Sequence, residues 1–161
     1  MQKIISLIAS ELKKRDMRCA VAESCTGGLV GAYLTSVPGA SKWFSGGIIS
    51  YNNNVKQTLL GVDRFDLCTV GEVSDVVVRQ MALNACLSLD AQAAVALSGI
   101  AGPGGGNAKH PVGTVWIGTA VRGQTEAFLH HLKGNRYAVR QQAAMHALLH
   151  LISAVRGSEN Q

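Results

Sequence analysis

Apolar residues near the start of the chain recur every three or four positions. Ile4, Leu7, Ile8 and Leu12 fall on one helical face, with Lys13 and Lys14 closing the last turn, so a helix is predicted over residues 3–16. The pattern then shortens to a strand at residues 18–22 (RCAVA). A helix follows over 25–35, in which Gly27, Gly28, Gly31 and Ala32 allow close approach to neighbours, and VPGAS at 37–41 ends it in a turn. A second strand is predicted over roughly 44–51. In NNNVKQTLLG the asparagines offer a helix cap, Val55, Leu59 and Leu60 an apolar face, and Gly61 a stop. After a polar passage, Ser74 is expected to cap a helix running to about Ser88, and AQAAVALSG reads as a buried parallel strand. The glycine-rich GIAGPGGGNAKHP leads out of it. VGTVWIGTAV and QTEAFLHHL flank Arg122 and Gly123 as an antiparallel hairpin, and Asn135 caps a last helix to about Arg156.

This order predicts an α/β fold, a three-layer α/β/α sandwich around a mixed, mostly parallel five-stranded sheet in which one strand is antiparallel. Residues 1–156 are expected to form one domain, with 157–161 (GSENQ) a disordered tail. At 161 residues the chain is long enough to bury about 68–70% of the surface of its unfolded form.

Composition narrows the chemistry. Aromatics make up only 5% of the chain against 47% hydrophobic residues overall, so the core must be built from Ala, Val, Ile and Leu. The net charge of +5 comes from scattered basic residues, apart from Lys13, Lys14, Arg15 and Arg18. A small anionic ligand fits this better than nucleic acid, which would want a basic patch with aromatics for base stacking. Cys19, Cys25, Cys68 and Cys86 form no CxxC pair and read as reduced thiols, with zinc disfavoured. The apolar run IISLIA is too short to span a membrane and continues as a charged helix without a small-residue cleavage site. A cytoplasmic protein is expected, with no metal, no cofactor and no membrane partner.

In a parallel sheet, ligands bind beyond the carboxyl ends of the strands. Three unusual segments follow such strands: Ser24 to Gly28, Tyr51 to Lys56, and Gly99 to Gly106. Ser24, at a strand-to-helix junction, is either a nucleophile beside free backbone N–H groups or, like Thr26, simply the helix N-cap. No histidine falls in the three segments, which leaves Lys56 as the possible base if burial and its place in the first turn of a helix keep it neutral. Otherwise it is a solvated lysine. Tyr51 is either a partner for Ser24 that relays its proton or a rim aromatic. The loop SGIAGPGGG can wrap N–H groups around an anion, but it is neither a Walker loop nor a dinucleotide fingerprint. Arg136 and Arg140, four apart, share one helical face and suit an anion. Cys25 is a rival nucleophile more in keeping with a packed thiol. His146 and His150 have metal-capable spacing without a third ligand in that helix.

Taken in order, AESCTGGLVGAYLTSVPGASKWFSGGIISYNNNVK, LLGV, VALSGIAGPGGG, PVGTVWIG and GNRYAVR resemble the CinA C-terminal domain family over about residues 5–152. Stand-alone members of that family include bacterial nicotinamide mononucleotide deamidase, a serine amidohydrolase that releases ammonia from the nicotinamide nucleotide, an activity of pyridine nucleotide salvage. The resemblance implies the same sandwich fold. It also implies Ser24 as nucleophile, Lys56 as general base of a Ser-Lys dyad and Tyr51 as their hydrogen-bonding partner. Backbone N–H groups near Thr26 and Gly27, or from the glycine-rich loop, would hold the oxyanion, with Gly28 also expected at the substrate; by their chemistry Gly102, Gly104, Gly105, Arg136 and Arg140 are the candidates for holding the ribose phosphate. Ser98 and Asn135 stand where relatives often carry threonine and aspartate, changes that keep a hydroxyl and a cap. The 161 residues hold no counterpart of the family's pyrophosphatase-like N-terminal domain, so metal-dependent pyrophosphate cleavage is not expected. A catalytically silent nucleotide-binding or regulatory module on the same fold is the alternative reading, since fold does not fix function. A homo-oligomer, in its simplest form a homodimer, is the remaining expectation.

Overall fold

The computed structural model describes residues 1–158. Its elements run α1 (Gln2–Lys14), β1 (Cys19–Glu23), α2 (Leu29–Leu34), β2 (Phe44–Ile49), α3 (Asn53–Leu60), α4 (Arg64–Thr69), α5 (Asp75–Ser88), β3 (Ala93–Gly99), β4 (Thr114–Val121), β5 (Gln124–His131) and α6 (Arg136–Gly157). The sheet order is β2-β1-β3-β4-β5. β1 pairs in parallel with β2 and β3, whereas β4 is antiparallel to both β3 and β5, so β4 alone runs against the rest. This is the predicted mixed five-stranded sheet.

The two faces of the sheet differ in side-chain size. Cys19 and Val21 of β1, Val95 and Leu97 of β3, and Val115 and Ile117 of β4 join α1, α2 and α6 in one core. The opposite face carries Ala20, Ala22, Ala94, Ala96 and Ala120 under α3, α4 and α5. Small residues there let α5 lie close to the strands: a Cβ at Gly118 would sit 2.3 Å from the Val78 carbonyl oxygen. Burial of both faces explains why β1 and β3 read as continuous apolar runs rather than alternating ones.

Several boundaries differ from the sequence pattern for identifiable reasons. α1 buries Ile5, Ile8, Ala9 and Leu12, which rotates the expected face and leaves Leu7 exposed. α2 begins at Leu29 because residues 24–28 form a turn in which Gly27 and Gly28 take φ of 60° and 96°. The polar passage contains the short helix α4, capped by Asp63, whose Oδ1 accepts from the Phe65 and Asp66 amides. It inserts only Leu67 into the core, too little to show as periodicity. Asn52, Ser74 and Asn135 cap α3, α5 and α6 through their side chains. Gly157 belongs to α6 and Ser158 is its C-cap, so these two residues are not part of a tail. Residues 159–161 of the expected tail lie outside the described residues. Among the described residues no helix is long and apolar enough to cross a membrane.

Candidate active site

The turn after β1 solves a capping problem without using Ser24. Gly28 is the N-cap of α2 and makes no side-chain cap bond. The buried Glu23 carboxylate instead accepts from the backbone amides of Gly28, Val30 and Gly31 at 3.0, 3.1 and 2.8 Å. Neither Ser24 nor Thr26 caps the helix, so the Ser24 hydroxyl is left for other chemistry. Removing the carboxylate would strand three amides, each costing on the order of 1–3 kcal/mol when buried without a partner. Glu23→Ala is therefore expected to lower the thermal midpoint by several degrees and to loosen α2, read by calorimetry and amide hydrogen exchange. An unchanged midpoint would show that the cap is dispensable.

Ser24, Tyr51, Lys56, Gly102, Gly104, Gly105 and Arg136 line one cavity of about 420 Å³ beyond the carboxyl ends of β1, β2 and β3, a volume within the range usual for small-molecule sites. Lys56, four residues after the Asn52 cap, is 1% exposed, and its Nζ donates to Ser24 Oγ at 3.4 Å and to Asn53 Oδ1 at 3.3 Å. Burial holds its pKa below the 10.5 of an ordinary lysine, opposed by the negative charge of Glu72 and by Cys25. The Lys56 amine thus sits beside the serine and gives up its proton more readily than an exposed lysine would.

The other expected site residues divide. Arg136 faces the cavity mouth, donating from Nη1 to the Gly102 carbonyl at 2.9 Å and from Nη2 to the Tyr51 hydroxyl at 2.7 Å. Tyr51 is thus at the rim with Arg136 as its partner, rather than on Ser24. Arg140, one turn on, donates to the Thr26 carbonyl at 2.6 Å and braces the turn instead of lining the cavity. The Gly27 amide donates to the Ser24 carbonyl and the Gly28 amide to Glu23, so both are committed to the turn. Cys25 lines the cavity, but burial pushes its thiol up to about 11, which keeps it protonated and a poor nucleophile.

Asn53, Glu72 and Ser98 also line the cavity and were not singled out by pattern as site residues. Asn53 was one of three asparagines offering a cap, and only its orientation on Lys56 separates it from Asn52. Ser98, one of the two departures from the family pattern, is buried and donates from Oγ to the Glu72 carbonyl at 2.5 Å. Away from the cavity, β5 brings His130 to the His146 and His150 pair. The His130 and His150 Nε2 atoms are 2.9 Å apart, and Phe128 stacks on His150. Burial lowers His130 to about 4 and lowers His150 as well. Among the described residues, no group of three or more His, Cys, Asp or Glu is placed to hold a metal ion.

Comparison with known proteins identifies the family and the fold. The family model described as the CinA C-terminal domain matches residues 1–155. Nicotinamide-nucleotide amidohydrolase PncC of Enterobacter agglomerans is 44% identical over 142 residues, covering 88% of this chain and 87% of its own length. A CinA-like protein of Gloeothece citriformis is 44% identical over 146 residues, 89% of this chain. The chain spans about a third of the length of this relative and of other CinA-like relatives it matches, 35%, 34% and 35% in three of them. A crystal structure of a CinA superfamily protein from Klebsiella pneumoniae superposes with a TM-score of 0.92 at 31% identity, covering 96% of this chain and 97% of that one. The chain belongs to the CinA C-terminal domain family.

Proposed function

We propose that this protein is a nicotinamide-nucleotide amidohydrolase, converting nicotinamide mononucleotide to the nicotinate mononucleotide and ammonia through a Ser-Lys acyl-enzyme. The observation that carries this is the buried Lys56 amine 3.4 Å from the Ser24 hydroxyl on the wall of a cavity with an arginine at its mouth. Relatives of similar length named for that activity support the choice of substrate. Neutral Lys56 takes the Ser24 proton as Oγ bonds to the carboxamide carbon. The Lys56 ammonium then protonates the departing nitrogen, the C–N bond breaks, and ammonia leaves. Water next attacks the acyl carbon, giving a proton to Lys56 that returns to Ser24 as the ester opens. With the Gly27 and Gly28 amides committed elsewhere and Thr26 buried outside the cavity lining, the amides of the glycine-rich loop are the donors for the oxyanion. Arg136 takes the phosphate at the rim, with Tyr51 holding its guanidinium and Gly102 its other edge.

The test is direct. Purified protein should release one ammonia per nicotinamide mononucleotide in the presence of a chelator, with nicotinate mononucleotide as the second product by chromatography. Binding of the nucleotide without turnover would instead select the silent binding module.

A further inference from the structure

Among the described residues lining the cavity there is one carboxylate, Glu72, opposite two basic groups, Lys56 and Arg136. It lies between α4 and α5, and the Ser98 bond to its carbonyl oxygen ties that segment to the end of β3. The side chain itself is exposed to the cavity and weakly engaged: Asn53 Nδ2 donates to Oε2 at 3.5 Å, long for an N–H···O bond. Asn53 also accepts from Lys56, so two side chains separate the carboxylate from Ser24. Glu72 favours the protonated lysine, which works against a general base. Its charge is therefore better understood through what enters the cavity.

This step rests on the nucleotide reading above. A nicotinamide nucleotide is charged at both ends: the ring bearing the carboxamide is a cation, and the phosphate is an anion. With the carboxamide carbon against Ser24 and the phosphate at Arg136, the cationic ring occupies the space faced by Glu72. We infer that Glu72 is a specificity-determining residue, its carboxylate selecting a positively charged ring over a neutral one of the same shape. Arg136 and Glu72 then read the two ends of a zwitterion, which also orients the carboxamide toward the serine.

Binding without turnover isolates this role. Calorimetry on Ser24→Ala, with and without Glu72→Gln, should compare nicotinamide mononucleotide with its benzamide C-nucleotide analogue, in which a ring carbon replaces the charged nitrogen. The parent should prefer the cationic ligand. Glu72→Gln should weaken that ligand about tenfold and the neutral analogue less than about twofold, while Glu72→Asp keeps part of the preference. Equal weakening of both ligands would show a merely structural role and overturn the inference. So would no effect, no preference in the parent, or no binding of either ligand. Failure of the wild type to release ammonia while the charge preference persists would remove the deamidase reading alone, because this measurement reads only binding.

Discussion

Ser24→Ala is expected to reduce ammonia release from nicotinamide mononucleotide by about 10³-fold or more, because Ser24 is the cavity hydroxyl bonded to the Lys56 amine, whereas the Ser98 hydroxyl is tied to the Glu72 carbonyl and that of Tyr51 to Arg136. Cys25, its neighbour, is the informative control. Its thiol is held protonated by burial, with a pKa near 11, so Cys25→Ala should retain most of the rate if it folds normally. Trapping a stoichiometric adduct with an electrophilic amide analogue, followed by mass spectrometry, should place the label on the peptide containing Ser24. Full activity in Ser24→Ala, or loss confined to Cys25→Ala, would transfer the nucleophile to the thiol and sink the serine mechanism.

Lys56 carries the second large effect, and it acts on rate and stability in opposite directions. Lys56→Ala and Lys56→Arg should each lose about 10³-fold in kcat, since neither offers a neutral amine near Ser24. In the wild type only neutral Lys56 can accept the proton, so the rate rises with pH through its folded-state pKa. Burial holds that value below 10.5, so the rising limb should lie at lower pH than an exposed lysine would give. Stability follows the same shift. Folding disfavours the charged amine, so at pH 7 Lys56 costs stability, and the cost fades as pH rises through the folded value and past the unfolded one. Lys56→Met, which fills the site without a charge, should therefore be inactive yet melt higher, by about 2–4 °C for each kcal/mol relieved. A lower melting temperature in Lys56→Met would mean that its bonds to Ser24 and Asn53 outweigh the burial of its charge. A flat pH–rate profile would remove Lys56 as the base.

The sheet and most helices were legible because apolar runs and capping residues carry their own boundaries. The long α5 and α6 each begin at a polar cap and bury many residues. The six-residue α4 has one buried side chain and no period to detect. For the site, Ser24 and Lys56 were findable because parallel strands deliver their following segments to one rim, although 32 positions separate the two residues. Glu23 was not, since an acid ending a strand announces nothing until two left-handed glycines turn the chain back over it. Arg136 and Arg140 share a helical face, but one turn is about 5.4 Å, enough for one to reach the cavity and the other to end on Thr26. Glu72 lay in a stretch without pattern, and it reaches the cavity lining only through the folding of the α4–α5 connection onto the end of β3, where Ser98 donates to its carbonyl.

The reversal of β4 has a consequence for how members of such a family diverge. Because β4 starts at the rim where β3 ends, the chain between them leaves and returns at one point. Ile100 donates to the Thr114 carbonyl and Gly113 to that of Ile100, each at 2.8 Å, pinching residues 101–112 into a noose with its own clasp. A noose of this kind can be lengthened, shortened or exchanged while the sheet keeps every rung. Loop closure grows costly only slowly, each doubling of length adding about 0.6 kcal/mol. On the function proposed above, grafting this segment between relatives is expected to change which amides are accepted while Ser24 and Lys56 keep their places.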